Sequence, residues 1–257
     1  HIAANMMIQN DLIPALEELF HELDKKANEF KDVMKIGRTH LQDATPITMG
    51  QEFSGYVQMV KNGIERLKNV QNYLSEIAQG GTAVGTGINT KADFGKLMAE
   101  EISQFSKVNF IEAPNHFEAQ GTQDASVETS GTLKTIAVSL SKIANDIRWM
   151  SSGPRAGIAE LILPAVQPGS SIMPGKVNPV ICESMIQICA QVIGNDTAIT
   201  LGGQGGVFEL NMMLPLIAHN LMQSIEILSK GSMMFSEKLV KGLNVDKDKC
   251  FDYIEGS

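Results

Sequence analysis

The sequence predicts an all-α protein, a long up-and-down helix bundle, and three observations carry that prediction. Apolar residues recur at three- and four-residue steps over four separate stretches, the period of an amphipathic helix. One of these stripes is roughly eight turns long at about 1.5 Å per residue, too long to be buried without neighbouring helices of similar length. Alternation of β-branched residues is nearly absent from the chain.

Taken in order, Ile8, Leu12, Leu16, Leu19 and Leu23 mark a first helix running from the start to about Met34. Pro14 inside it lacks an N–H and crowds the preceding turn, so a kink is expected there. Residues 35–46, Lys-Ile-Gly-Arg-Thr-His-Leu-Gln-Asp-Ala-Thr-Pro, have no helical period and read as a donor-rich loop bounded by Pro46. The long stripe follows at Phe53, Val57, Val60, Ile64, Leu67, Leu74 and Ile77. Four glycines then fall within Gly80–Gly87, where backbone can approach a ligand closely. No Lys-Ser/Thr pair follows them and no strand precedes them, which excludes a P-loop or dinucleotide site.

A shorter helix is expected over 92–106, closed by Pro114, and a third long one from Thr122 to about Met150, ended by Gly153 and Pro154. Residues 168–179, Pro-Gly-Ser-Ser-Ile-Met-Pro-Gly-Lys-Val-Asn-Pro, hold three prolines and two glycines and exclude regular structure. After Asn178-Pro179 a helix begins that is apolar on nearly all sides, through Ile181, Met185, Cys189 and Val192, and so calls for burial. Leu214, Ile217, Leu221, Ile225 and Leu228 give a last helix, weakening toward Leu243.

The loop at 168–179 concentrates two hydroxyls, a lysine and an amide. Composition alone makes it a surface linker. Ser170 and Ser171 suit turns, and no G-x-S-x-G elbow signals a hydrolase. Lys176 taken alone is a solvated charge; folded back across the loop, with Asn178, it would form a clamp for a carboxylate or an anionic intermediate. His40 in isolation is an ordinary loop histidine, yet its setting suits a group titrating near neutrality. Glu183, among apolar neighbours, needs a partner to offset desolvation, or else is a helix-start acid favoured by the macrodipole.

Formal charge −8 leaves no basic excess for phosphates, which argues against a nucleic-acid partner. No run of about 18 apolar residues could span a membrane. The three cysteines, Cys182, Cys189 and Cys250, show no metal-ligand spacing and fit a reducing compartment. The fourteen methionines read as core or interface filler rather than metal ligands.

Three stretches together resemble the fumarase/aspartase superfamily: Gly37 to Ala44, Gly81 to Gly87, and Gly169 to Pro179. The Arg38-Thr39-His40 form, with Met173-Pro174-Gly175-Lys176, is most similar to its class II fumarate hydratase branch; aspartate ammonia-lyases tend to carry Lys-Thr-Gln in place of Arg38-Thr39-His40. The resemblance covers the whole chain. It implies a five-helix central domain over 1–257, with N- and C-terminal domains absent, assembling as a homotetramer with a helical core and active sites shared among three subunits. It implies a hydro-lyase of the tricarboxylic acid cycle that hydrates fumarate reversibly to (S)-malate, with no cofactor and no metal, in the cytoplasm or, for a eukaryotic source, the mitochondrial matrix. By the same resemblance Ser170 is the catalytic base, His40 the acid/base or water-orienting histidine, and Glu183 its relay partner. Thr39, Ser171, Lys176, Val177 and Asn178 bind substrate. Read as a central domain alone, the chain is expected to be inactive by itself. The competing readings are another lyase of the superfamily, chiefly aspartate ammonia-lyase, and a non-catalytic helical scaffold.

Overall fold

A computed structural model describes residues 1–167 and 169–256; Pro168, the first proline of the predicted loop, and Ser257 lie outside the described residues. The all-α bundle class holds. The helices are α1 (Ile2–Met7), α2 (Ile13–Glu29), α3 (Met49–Leu74), α4 (Phe94–Ser106), α5 (His116–Gly121), α6 (Asp124–Met150), α7 (Val180–Gly203), α8 (Leu214–Lys238) and α9 (Lys247–Glu255). By contact density the chain divides into two compact units, one of residues 1–14, 63–137 and 190–229, the other of 15–62, 138–189 and 230–257.

The kink expected at Pro14 takes the form of a π-helical turn over Ile8–Leu12 between α1 and α2. Pro14 cannot donate to the carbonyl four residues back and its ring crowds it, and the wider turn accommodates both effects. The first helix ends at Glu29, short of the expected Met34; the backbone turns there through the Lys31 N–H to the Asn28 carbonyl and the Val33 N–H to the Phe30 carbonyl, with Phe30 and Val33 buried. α3 starts at a reciprocal capping box: the Thr48 N–H donates to Gln51 Oε1 at 2.9 Å, and the Gln51 N–H donates to Thr48 Oγ1 at 3.0 Å. Two orphan helix-start donors are satisfied at once.

Several expected boundaries move. Ile77 belongs not to α3 but to a short strand, β3 in chain order (Glu76–Ile77), which pairs in parallel with β4 (Ile111–Glu112). The last long helix stops at Lys238; Val240–Gly242 is a 3₁₀ turn. The short α5 and α9 had no periodic signal and are held by caps, with Asn115 accepting from the Phe117 and Glu118 N–H groups and Asp246 from Lys249.

The largest departure is at residues 35–46. This stretch is not an irregular loop but most of an antiparallel hairpin of β1 (Met34–Thr39) and β2 (Gln42–Thr48), with a register shift between Ile36 and Arg38. Its base is tied by the Met49 N–H to the Val33 carbonyl (2.8 Å) and the Gly50 N–H to that of Phe30 (3.0 Å). The remaining short strands are β5 (Leu161–Ile162), paired with β8 (Asn244–Val245), and β6 (Gly206–Val207), paired with β7 (Leu210–Asn211).

In the second unit, Leu16, Leu19, Leu23, Phe53, Val60, Ile143, Ile147 and Phe235 are buried. Phe30, Phe53 and Tyr56 stack edge to face at 5.3–5.4 Å. The first unit has its own core, including a cluster of Ile77, Ala99, Val108 and Phe110 with Ile2, Met6 and Ile102 against it.

Candidate functional site

All the residues singled out as catalytic or substrate-binding fall in the second compact unit. Thr39 closes β1, and His40 with Leu41 makes the two-residue turn of the hairpin, with φ of 55° and 60°. Two successive positive φ values in a two-residue loop define a type I′ turn, which matches the twist of the strands but normally takes Asn-Gly. Holding a histidine and a leucine there strains both. Neither is repaid by burial within the chain: His40 is exposed and Leu41 keeps 62% of its surface.

The segment after β5 is open and sparsely bonded. Ser170 Oγ accepts from the N–H groups of Ile172 and Met173, both at 3.3 Å, a serine turn. Asn178 Nδ2 donates to the Gly169 carbonyl at 2.8 Å, drawing the two ends of the segment together. A Cβ on Gly169 would collide with the Lys176 carbonyl oxygen. The segment thus folds back on itself at its start and at its neck, with the Ser170 and Asn178 side chains turned onto its own backbone. Ser171, Lys176 and Val177 are exposed, while Ser170 and Asn178 are half-buried. Glu183, in the first turn of α7, is exposed to water despite its apolar sequence neighbours. Among the described residues no hydrogen bond or ion pair joins His40 to Glu183, or either of them to Ser170 or Lys176.

Directly beneath the hairpin lies a set of charges that sequence reasoning missed. Glu160 is fully buried and accepts a two-pronged hydrogen bond from Arg38, at 2.9 and 2.8 Å. Lys35, 1% exposed, reaches Glu160 at 3.6 Å and Glu52 at 3.3 Å. Burial alone would push the Arg38 guanidinium down, but its bonds to Glu160, the Glu160 charge and Asp43 carry it above its ordinary value. It is a permanent cation here. Tyr56 donates to Asp146 at 3.0 Å with Glu52 at 3.3 Å. Burial first, then those two carboxylates, push its phenol far up, so it stays neutral. A cavity of about 360 Å³ borders this network, with Lys35, Arg38, His40, Tyr56, Lys142 and Trp149 on its walls. Only a buried lysine or arginine without a visible partner in sequence could have hinted at it, and Glu160 stands 122 residues from Arg38.

The glycine-rich stretch is in the first unit. Gln120 Nε2 donates to the Thr82 carbonyl at 3.2 Å, and His116 lies 3.1 Å from Glu112 beside it. Thr86 is exposed. Among the described residues no three His, Cys, Asp or Glu side chains stand together as a metal cluster. No helix among them is long and apolar enough to cross a membrane.

Comparison with known proteins gives a consistent picture. A family model described as "Lyase" matches residues 1–194. A mitochondrial fumarate hydratase of Dictyostelium discoideum is 52% identical over 249 residues, covering 97% of this chain and 51% of that protein. A class II fumarate hydratase of Neisseria meningitidis is 51% identical, covering 98% of this chain and 54% of that protein. The crystal structure of a class II fumarase from Schistosoma mansoni superposes with a TM-score of 0.96 at 37% identity, over 98% of this chain and 56% of that one. The chain therefore spans about half the length of the curated relatives it matches.

Proposed function

This chain belongs to the lyase family, and we propose that it is the central helical-bundle domain, over residues 1–257, of a class II fumarate hydratase that interconverts fumarate and (S)-malate. Its place is the cytoplasm or the mitochondrial matrix. The observation that carries the reading is a contrast within one unit. The chain buries Lys35 and Glu160 and pairs them with each other and with half-buried Arg38, yet leaves Thr39, His40, Ser171, Lys176 and Glu183 facing water. Reactive side chains left uncommitted on a well-packed scaffold suit a site that other copies of the chain complete. Assembly as a homotetramer, with each site drawing on three subunits, supplies those copies.

In the dehydration direction Ser170 takes the proton from the malate carbon next to a carboxylate. The electron pair left behind moves into that carboxylate and gives an aci-carboxylate dianion. Accumulated charge is the main barrier, and Lys176, Asn178 and the loop N–H groups lower it. His40, polarised by Glu183, protonates the departing hydroxyl, which leaves as water. Thr39, Ser171 and Val177 hold the two substrate carboxylates in line. The compact loop closes over the site and excludes solvent.

The test is turnover by the full-length protein, followed as fumarate absorbance, with (S)-malate and L-aspartate offered separately. Malate is expected to react and aspartate not; the reverse would make this an ammonia-lyase. Ser170→Ala is expected to lower turnover by about 10²–10⁴-fold with assembly intact, and near-normal turnover would remove Ser170 from the role of base.

A further inference from the structure

The first compact unit has a strained hairpin turn of its own. β6 and β7 are joined by Phe208 and Glu209, and Phe208 holds a φ of 52°. A positive φ at the first of two loop residues is the pattern of a type II′ turn, at a position that normally takes glycine. Phe208 is strained there and keeps 89% of its surface in water, and Val207, Leu210 and Met212 beside it are exposed as well. We infer that this hairpin is the face that one copy of the chain presents to the catalytic segments of others, covering the exposed Leu41 of the His40 turn and the exposed Ile172 and Met173 of the Ser170 loop. The inference rests on the fumarate hydratase reading, in which each site draws on three copies. The hairpin of residues 34–48 and the loop of residues 169–179 come from two of them; the β6–β7 hairpin comes from the third.

The turn is held firmly at its base. Asn211, 1% exposed, donates to the Gly202 carbonyl at 3.1 Å and accepts from the Met213 N–H at 2.8 Å. The strands lie directly against α5: a Cβ on Gly206 would collide with the Gly121 carbonyl oxygen, and one on Gly121 with that of Phe208. α5 also holds the glycine-rich stretch, through Gln120 to the Thr82 carbonyl and through Phe117 packed on Gly85. Phe117, Val84 and Ile88 are exposed in their turn. The β6–β7 hairpin, α5 and the glycine-rich stretch therefore form one end of the unit, faced with apolar side chains. That end includes Gly81 to Gly87, the only one of the three resembling stretches that lies in the first unit.

A rigid, strained and apolar tip in water gives its own chain nothing. It does suit association, because an aromatic already fixed in place loses little freedom when a partner buries it. The catalytic segments of the second unit are the matching surface in two respects. They expose apolar side chains of their own at Leu41, Ile172 and Met173. Their side of the molecule also has charge to complement the tip: exposed Glu209 forms no ion pair among the described residues, and neither do exposed Arg155 and Lys176.

Two measurements on the full-length protein test this. With the photo-reactive analogue benzoylphenylalanine in place of Phe208, irradiation is expected to join two copies, the new bond landing on residues 34–48 or 169–183 of the second. Bonds only within one chain, to other segments of a second copy, or to any part of the protein outside residues 1–257 would overturn the inference. Phe208→Asn relieves the strain, since asparagine accepts left-handed backbone, and removes the apolar contact. It is expected to quicken subunit exchange between two differently tagged preparations about 10-fold or more; exchange at the parent rate would also overturn the inference. If the unmodified protein turns over no malate, the functional reading fails on its own. The position of the photo-induced bond then still decides the face: residues 34–48 or 169–183 of a second copy uphold it, and any other position overturns it.

Discussion

The two segments that carry the candidate catalytic groups are built in opposite ways. The hairpin of residues 34–48 is strained at its tip and pinned beneath by buried charges. The loop of residues 169–179 has no buried charge beneath it among the described residues; its internal hydrogen bonds include one serine turn, one amide across its neck and a Lys176 N–H to the Met173 carbonyl at 3.2 Å. The difference teaches what each can do. A group that must keep a fixed direction, as a relay histidine does, gains from a turn that cannot relax. On the proposed reading Ser170 and Lys176 would close on a substrate and then release it, which a loop with little to break favours.

The contrast predicts the largest effects on the hairpin side. Glu160→Ala leaves buried Lys35 with Glu52 alone and removes both acceptors of the half-buried Arg38, and is expected to cost about 3–5 kcal/mol of stability in urea unfolding. Lys176→Ala removes an exposed side chain, so its unfolding midpoint should stay within about 0.5 kcal/mol of the parent while turnover collapses. Equal losses of stability in the two variants would erase the distinction between a pinned and an unpinned segment.

Glycine substitutions sharpen it at a smaller scale. Leu41 sits at φ 60° with most of its surface in water, so Leu41→Gly should relieve strain and raise stability by about 1 kcal/mol. In the loop the sign reverses. Gly175 has φ 80° with open space around it, and Gly175→Ala should lose about 1 kcal/mol. Gly169→Ala must instead push the Lys176 carbonyl aside. It should open the neck and depress turnover far more than the unfolding midpoint, which denaturation and activity measured on the same sample would resolve.

How much of this could be read from the sequence follows from where the information lies. The long stripes gave α3, α6 and α8 within a few residues, because burying one face imposes a period that survives in the sequence. The hairpin was missed because its signals are local exceptions. His40-Leu41 stands where Asn-Gly would mark a turn, Pro46 sits inside a strand, and a register shift at Gly37 breaks the alternation. The motif residues stood out by composition, but the pair beneath them did not. Arg38 and Glu160 belong together only through the folded chain, and no spacing rule joins residues that far apart. Exposure was equally invisible: Glu183 looked buried among apolar neighbours, yet the helix turns it outward.

The smallest expected effect concerns pH and again falls on the pinned side. Cys250 lies against the Glu160 backbone; burial, and then the nearby Glu160 charge, push its thiol up to about 12. In the unfolded chain the same thiol ionises near its ordinary value, about 8.5. Below that value both states are protonated and the thiol adds no pH dependence. Between the two values the unfolded chain releases a proton that the folded chain keeps, so stability falls as pH rises, by up to about 1.4 kcal/mol per pH unit for one group. Cys250→Ala should therefore flatten the alkaline slope of stability by about one proton, read from urea unfolding at several pH values between about 9 and 11. Burial raises Cys182, in the first turn of α7 beside the loop, to about 12 as well. If that end of the helix opens with the loop, Cys182 ionises in the opened state and its replacement flattens the slope less than that of Cys250. Equal flattening by both would mean that the start of α7 is held as firmly as the charge network under the hairpin.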